Sequence, residues 1–220
     1  MVSRVEVKSP VGSIRDVNPA LLPGGVWSST LNVEFDQGSC VKTSGYTEIF
    51  ATTPSNILYM QPSISEGQLL WYEANLTDIY TTEGSVHANV SSTAGVYDAT
   101  EDDGWSGVDL NGVAVLNNRY DNPQSFNASS GKFEDLPNWP AETQTDFIGT
   151  YKNFLIALGV YKTGAHFESM VKWSSQADPG GVPFTWDETD PTNSAGEANI
   201  QGGGSIRCGA KLKDSYIIYK

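Results

Sequence analysis

Residues 18–50 read NPALLPGGVWSSTLNVEFDQGSCVKTSGYTEIF. Pro23-Gly24-Gly25 punctuates the chain, because proline fixes φ and glycine opens the left-handed region. Leu31, Val33 and Phe35 then alternate with Asn32 and Glu34, the period of a half-buried strand. Asp36-Gln37-Gly38 supplies a turn and Cys40-Val41-Lys42-Thr43 returns, so the stretch predicts a hairpin with Trp27 and Phe35 as core anchors. Gly45-Tyr46 follows it. No nucleophile stands beside a base here and no metal-ligand spacing occurs, so the stretch reads as framework.

The same grammar continues outward. Residues 1–17 alternate weakly and then reach Pro10 and Gly12, which predicts an arm or edge strand. Residues 16–22 carry the only plausible helical turn before the hairpin. From residue 57 onward short β-type runs follow one another: 57–60, 69–74, 78–82, 87–91, 113–116 and 125–128. Asn111-Gly112 favours positive φ and predicts a tight turn between Val108 and Val113. Residues 133–140 read as a proline-bounded connection. Runs 147–150 and 154–161 form a hairpin turning at Lys152-Asn153, and the nearly unbroken apolar character of the second predicts burial on both faces. Strands at 169–174, 206–210 and 216–219 flank an irregular segment, 176–204, rich in Pro, Gly, Asp and Asn. Short strands with turn signals between them predict an all-β domain over 18–220, a sandwich, barrel or propeller.

Trp71, Trp105, Trp139 and Trp173 recur at a constant interval of 34 residues. A period near ~40 residues is that of a four-stranded propeller blade, so a propeller-like arrangement is preferred, with a sandwich as the alternative. The terminal run Ser215-Tyr216-Ile217-Ile218-Tyr219-Lys220 stops within a strand pattern. A terminal strand without a partner is an aggregation hazard, so a longer polypeptide or a covering subunit is expected.

Composition restricts the function classes. The 220 residues are long enough to bury a substantial core, and 22 glycines with 11% aromatics favour strands and turns over helices. Lys+Arg 13 against Asp+Glu 26 gives a net charge of −13, which repels phosphates and argues against sequence-specific nucleic-acid binding. A repelling wall past which DNA slides remains compatible with that charge. Cys40 and Cys208 make neither a disulfide framework nor a zinc spacing; two free thiols are expected, a single bridge being the other reading. MVSRVEVKSPVG lacks an apolar h-region, so no signal peptide is expected. No apolar run approaches the ~18 residues of a membrane span. Sequons at Asn75, Asn89 and Asn127 are read as chance in a chain rich in Asn, Ser and Thr.

Catalytic signatures are sparse. His87 and His166 lie outside any zinc-hydrolase context. No G-x-S-x-G elbow occurs, and Gly202-Gly203-Gly204 lacks the Lys-Ser/Thr of a P-loop. The acidic clusters Glu101-Asp102-Asp103 and Asp187-Glu188/Asp190 could serve glycoside hydrolysis or calcium, but such runs are usually solvated loops. Ala177-Asp178-Pro179-Gly180 with Thr185-Trp186 loosely matches a sialidase-type Asp-box, yet the spacing is too long and Gln176 replaces the expected serine. It predicts a turn that places Trp186 in a core. No catalytic, cofactor-binding or metal-binding residue is assigned, and no enzyme is expected.

These residues carry a resemblance. Pro23-Gly24, Trp27, Asn32-Val33-Glu34-Phe35, Asp36-Gln37-Gly38, Val41-Lys42 and Gly45-Tyr46 resemble the opening of tail and head-completion proteins of short-tailed bacteriophages. Asn122-Pro123-Gln124, Val171-Lys172-Trp173-Ser174 and residues 214–220 resemble later features of such proteins. The likeness is strongest over 18–50 and 171–187, with Lys42 alone where the family's second strand is usually more basic. It implies a virion structural protein of the tail nozzle or hub type, a β-propeller made in the host cytoplasm. Such proteins form a homo-oligomeric ring, commonly a hexamer, below the portal and adaptor, retain packaged DNA and conduct it during ejection. The rival expectation is a carbohydrate-binding or glycan-cleaving propeller, a receptor-binding module. It requires Trp105, Trp139 or Trp186 exposed beside Glu101–Asp103 or Asp187–Asp190.

Overall fold

The computed structural model describes residues 12–36, 39–43, 45, 52, 56–65, 67–83 and 86–220. Turn residues Gln37 and Gly38, Tyr46 and most of the amino-terminal arm lie outside the described residues. The chain divides into two compact units, residues 1–48 and 49–220.

In the first unit, β1 (Gly12–Ser13) pairs in parallel with β2 (Val26–Trp27). A 3-10 turn, Pro19–Leu21, lies between them, capped by the Asn18 side chain accepting from the Ala20 N–H at 3.0 Å. The expected hairpin is present as β3 (Val33–Asp36) against β4 (Ser39–Lys42), with Phe35 opposite Cys40. Trp27 meets Phe35 edge-on, ring centroids 6.3 Å apart, but Trp27 is 37% exposed and neither ring belongs to a buried cluster, so the expected core anchors form a surface pair instead.

The second unit is all-β. Its first sheet is β5 (Tyr59–Ser65), β6 (Gln68–Ala74), β7 (Ile79–Glu83) and β8 (Val86–Asn89), in that spatial order. Its second is β9 (Ser106–Leu110), β10 (Val113–Asn117), β11 (Gln124–Asn127) and β12 (Lys132–Asp135), again in order. Its third is β13 (Thr143–Tyr151), β14 (Phe154–Lys162), β15 (Ala165–Trp173) and β16 (Gly196–Asn199). A last hairpin joins β17 (Cys208–Leu212) to β18 (Ser215–Tyr219). Every ladder in this unit is antiparallel. Three successive four-stranded meanders are a propeller-like arrangement, because the opening strands also lie side by side: β5 against β9, β9 against β13 and β13 against β17.

Side-chain alternation explains the stacking. Leu116 and Ala114 of β10 face the first sheet and Val115 faces the third. Leu155 and Ala157 of β14 face the second sheet, while Ile156 and Leu158 face Ile206 and the β18 residues Tyr216 and Ile218. Each seam therefore has its own core. The first gathers Tyr72, Ile79, Trp105, Leu116 and Phe133, with Tyr72 edge-on to Phe133 at 5.1 Å. The second gathers Leu110, Val115, Ile148, Leu155, Ala157 and Trp186; the third gathers Ile156, Leu158, Val171 and Ile206.

The opening strands are tied by side chains. Tyr59 donates its hydroxyl hydrogen to the Gly107 carbonyl at 3.1 Å, and the Ile148 N–H donates to Ser106 Oγ at 3.2 Å. Asp109 accepts from Ser63 Oγ, from the Ile64 N–H at 3.2 Å and from the Gly112 N–H at 2.7 Å. It thus clamps the first sheet to the second and holds the Asn111-Gly112 turn, where φ is 53° and 96°. Asp109→Ala removes three acceptor contacts and should lower stability by about 2 kcal/mol, read as a lower urea midpoint.

Three sequence expectations need correction. Residues 133–140 are not wholly a connection, because Lys132–Asp135 is strand β12 with Phe133 fully buried. The segment 176–204 contains strand β16, Gly196–Asn199, against β15. The tryptophan interval does not mark blades: Trp71 lies within β6, Trp105 and Trp139 precede β9 and β13, and Trp173 ends β15. Trp186 is 2% exposed, as the turn reading required. Cys40 and Cys208 are free thiols. No helix among the described residues is long and apolar enough to cross a membrane.

Candidate functional site

In an antiparallel meander the first strand begins at the end of the sheet where the second strand ends and the third begins. At this end of the second and third sheets stand the residues before β9, the β10–β11 loop and the β14–β15 turn. Arg119 projects from the β10–β11 loop. Its φ is +73°, a conformation costly for a side chain of this kind and concentrated at functional positions.

The partners of Arg119 come from both sheets. Nη1 donates to Asp103 Oδ1 at 2.6 Å, and Nε lies 3.0 Å from Asp146 Oδ1. Nε and Nη2 both donate to the Tyr161 hydroxyl, the first at 3.1 Å. The Tyr161 hydrogen bond and the Asp146 charge hold the guanidinium still more firmly protonated than usual, against the opposing effect of burial. Asp103 also accepts from the Tyr120 hydroxyl; that bond, with Arg119 behind it, draws the Asp103 carboxyl below its ordinary range.

Sheet register assembles the other wall. Gln144 of β13 is the cross-strand partner of Tyr161 in β14, which is the partner of His166 in β15. The three side chains therefore form a row on one face. Tyr161 and His166 stack at 3.9 Å with 3° between planes, and His166 Nε2 lies 2.9 Å from Asp146 Oδ2. Asp146 fits because Gly159 stands opposite it: a Cβ at Gly159 would overlap Oδ2 and lie 3.0 Å from Cγ. Gly159 has φ +64° and marks the point where the β14–β15 register shifts. The carbonyls of Glu168 and Ser169 on the displaced strand accept from the Ile206 and Ile200 N–H groups, each at 2.9 Å.

Two open depressions meet at Arg119. One, about 370 Å³, is lined by Arg119, Tyr120, Gln144 and Tyr161. The other, about 470 Å³, includes Asp102, Asp103, Asp146, His166, Glu168 and Arg207. The Asp103 carboxyl is drawn toward its ionised form, a shift opposite in sign to the one a general acid of glycoside hydrolysis needs.

A second charged cluster serves the fold. Lys172 is 1% exposed and donates to Glu188 and, at 3.2 Å, to Glu197, its cross-strand partner. Lys162 reaches the same carboxylates at 3.3 Å and 2.7 Å. Burial alone would raise the Glu188 carboxyl; bonds from Lys172, its own backbone and Lys162 outweigh that and hold it at about 2.

Of the residues singled out in the sequence, Asp102, Asp103 and His166 join this site, and most of the others take structural positions. Trp105 is 8% exposed, donates to the Asn75 carbonyl at 2.7 Å and stands edge-on to Tyr97. Trp139 packs edge-on against Trp186 at 4.7 Å and donates to the Thr143 carbonyl. Neither Trp105 nor Trp186 offers the open face the glycan reading asked of it. Asp187 and Asp190 accept from threonines two residues on, forming turns. His87 pairs with buried Glu73 at 2.8 Å within the first sheet. Asn75 binds the Thr77 and Asp78 N–H groups, Asn89 donates to Asp78, and Asn127 donates to Glu134. No group of three or more metal-ligating side chains is present among the described residues.

Sequence reasoning missed Arg119, Asp146, Tyr161 and Gln144. Two signals were available: a basic residue inside the polar run Asn117-Asn118-Arg119-Tyr120-Asp121-Asn122, and an isolated glycine, Gly159, within an apolar strand. No protein-family model and no curated protein matches this chain.

Proposed function

We propose that the chain is a virion structural protein of a short-tailed bacteriophage, part of a tail nozzle or hub ring below the portal and adaptor, where it retains packaged DNA and conducts it during ejection. The observation that carries this reading is the run of three four-stranded meanders with adjoining opening strands, the architecture that the resemblance implies. The net charge of −13 supports it, since an acidic wall lets DNA pass without adhering. Pro23-Gly24, Trp27 and the β3–β4 hairpin are the motifs of the resemblance, and their content is architectural. The ring is homo-oligomeric, a hexamer by the same resemblance, and no catalytic residue is assigned to it.

Sedimentation velocity and electron microscopy of the purified chain, with labelling of virions, test this reading. The expected result is a large symmetric species, with label on the tail axis next to the portal. A monomer at all concentrations that is also missing from particles would overturn it.

A further inference from the structure

We propose that the two depressions meeting at Arg119 form a binding site for neutral or amino sugars, a role beyond ring assembly. The site holds recognition groups that the fold itself leaves uncommitted. The Gln144 carboxamide makes no hydrogen bond among the described residues, nor do the side chains of Asp102, Glu168 and Arg207. Tyr161 is a special case. Its oxygen accepts both Arg119 hydrogen bonds, so its own hydrogen remains a donor beside Gln144. Tyr120 is 45% exposed, with its hydroxyl anchored on Asp103, which fixes the ring at the rim.

This inventory matches a hydroxyl-rich ligand. Each sugar hydroxyl both donates and accepts, as a carboxamide and a phenol do. Planar carboxylates and a guanidinium can span adjacent hydroxyls, and a phenol ring can cover an apolar C–H face. The depressions, about 370 Å³ and 470 Å³, are within the usual range of small-ligand sites. Rigidity is supplied in advance by the positive-φ backbone of Arg119 and by the recess that Gly159 leaves for Asp146.

Charge narrows the class. Carboxylates Asp102, Asp103, Asp146 and Glu168 face guanidiniums Arg119 and Arg207, so the site is net acidic. Anionic sugars and nucleic-acid phosphates are disfavoured, whereas an ammonium-bearing sugar is not.

Saturation-transfer NMR and calorimetry on the full chain test this with maltose, lactose, chitobiose, glucosamine and glucuronate. The expected result is saturable binding of at least one neutral or amino probe at about millimolar concentration, weakened at least about tenfold by Gln144→Ala and by Tyr120→Ala. In the unsubstituted chain the chemical-shift changes should centre on Arg119, Tyr120, Gln144 and Tyr161, which keeps the test open if a variant misfolds. Silence with all four neutral and amino probes, preference for glucuronate, or shift changes elsewhere would overturn it. The oligomeric state is read separately, so failure here leaves the ring reading untouched.

Discussion

Gly159→Ala should destabilise the protein by about 3 kcal/mol and dismantle the Arg119 cluster together with it. Two independent penalties act at that position. The backbone is at φ +64°, where any Cβ is strained. The new methyl would also overlap the Asp146 carboxylate, which is held from the other side by Arg119 and His166. The carboxylate has nowhere to withdraw without abandoning one of these partners. The β14–β15 register shift sits at the same residue, so relief by backbone movement would disturb the bonds to Ile200 and Ile206. Chemical denaturation should show a lowered midpoint. In any folded remainder, the His166 and Tyr161 ring resonances should move, since their stacking rests on the same alignment. A variant as stable as the parent, with those resonances unchanged, would refute the account.

Lys172→Met should cost about 3 kcal/mol, because it removes the buried cation of the group and leaves two partly buried carboxylates undercompensated. Glu188 and Glu197 would keep only Lys162 between them. Neutralising the carboxylates is instructive: adding Glu188→Gln and Glu197→Gln to Lys172→Met should recover part of the loss. The pH dependence has a definite sign. The Glu188 carboxyl is held at about 2 in the folded protein, below its ordinary value near 4.5. Its contribution is therefore complete above about pH 4.5, where the unfolded chain's carboxyl is also ionised, and falls away as pH drops toward about 2. Lys172→Met should flatten that acid limb of the stability profile. An unchanged slope between pH 5 and 2, measured by denaturant titration, would count against Lys172 as the principal holder of Glu188.

The inner strands were legible in the sequence because burial writes a hydrophobic pattern. Phe154-Leu155-Ile156-Ala157-Leu158 is apolar throughout since seams cover both faces of β14. Asn111-Gly112 announced its turn, because few residues accept positive φ in succession. Two of the outer strands, β12 and β16, were illegible for the complementary reason. Strand β16 is Gly196-Glu197-Ala198-Asn199 and β12 is Lys132-Phe133-Glu134-Asp135, with one large apolar side chain between the two of them. An edge strand covered on little of its surface has no pattern to display, and only its ladder reveals it. The tryptophan interval misled in its basis, because the four rings occupy unlike positions within the sheets. The Arg119 cluster escaped because its members meet through register and loop geometry; nothing in local spacing brings Asp103, Arg119, Asp146 and Tyr161 together.

The separateness of the three seam cores has a thermodynamic corollary. A globule with one shared core distributes any defect throughout, whereas a linear array answers defects through nearest neighbours. Tyr72 in the first seam and Leu158 in the third share no cluster, so their truncations should combine additively. The middle sheets are held by two seams each, and the first sheet by one among the described residues. The β17–β18 hairpin is likewise held by one seam, so the array should fray from its two ends, the first sheet and that hairpin, before the second and third sheets separate.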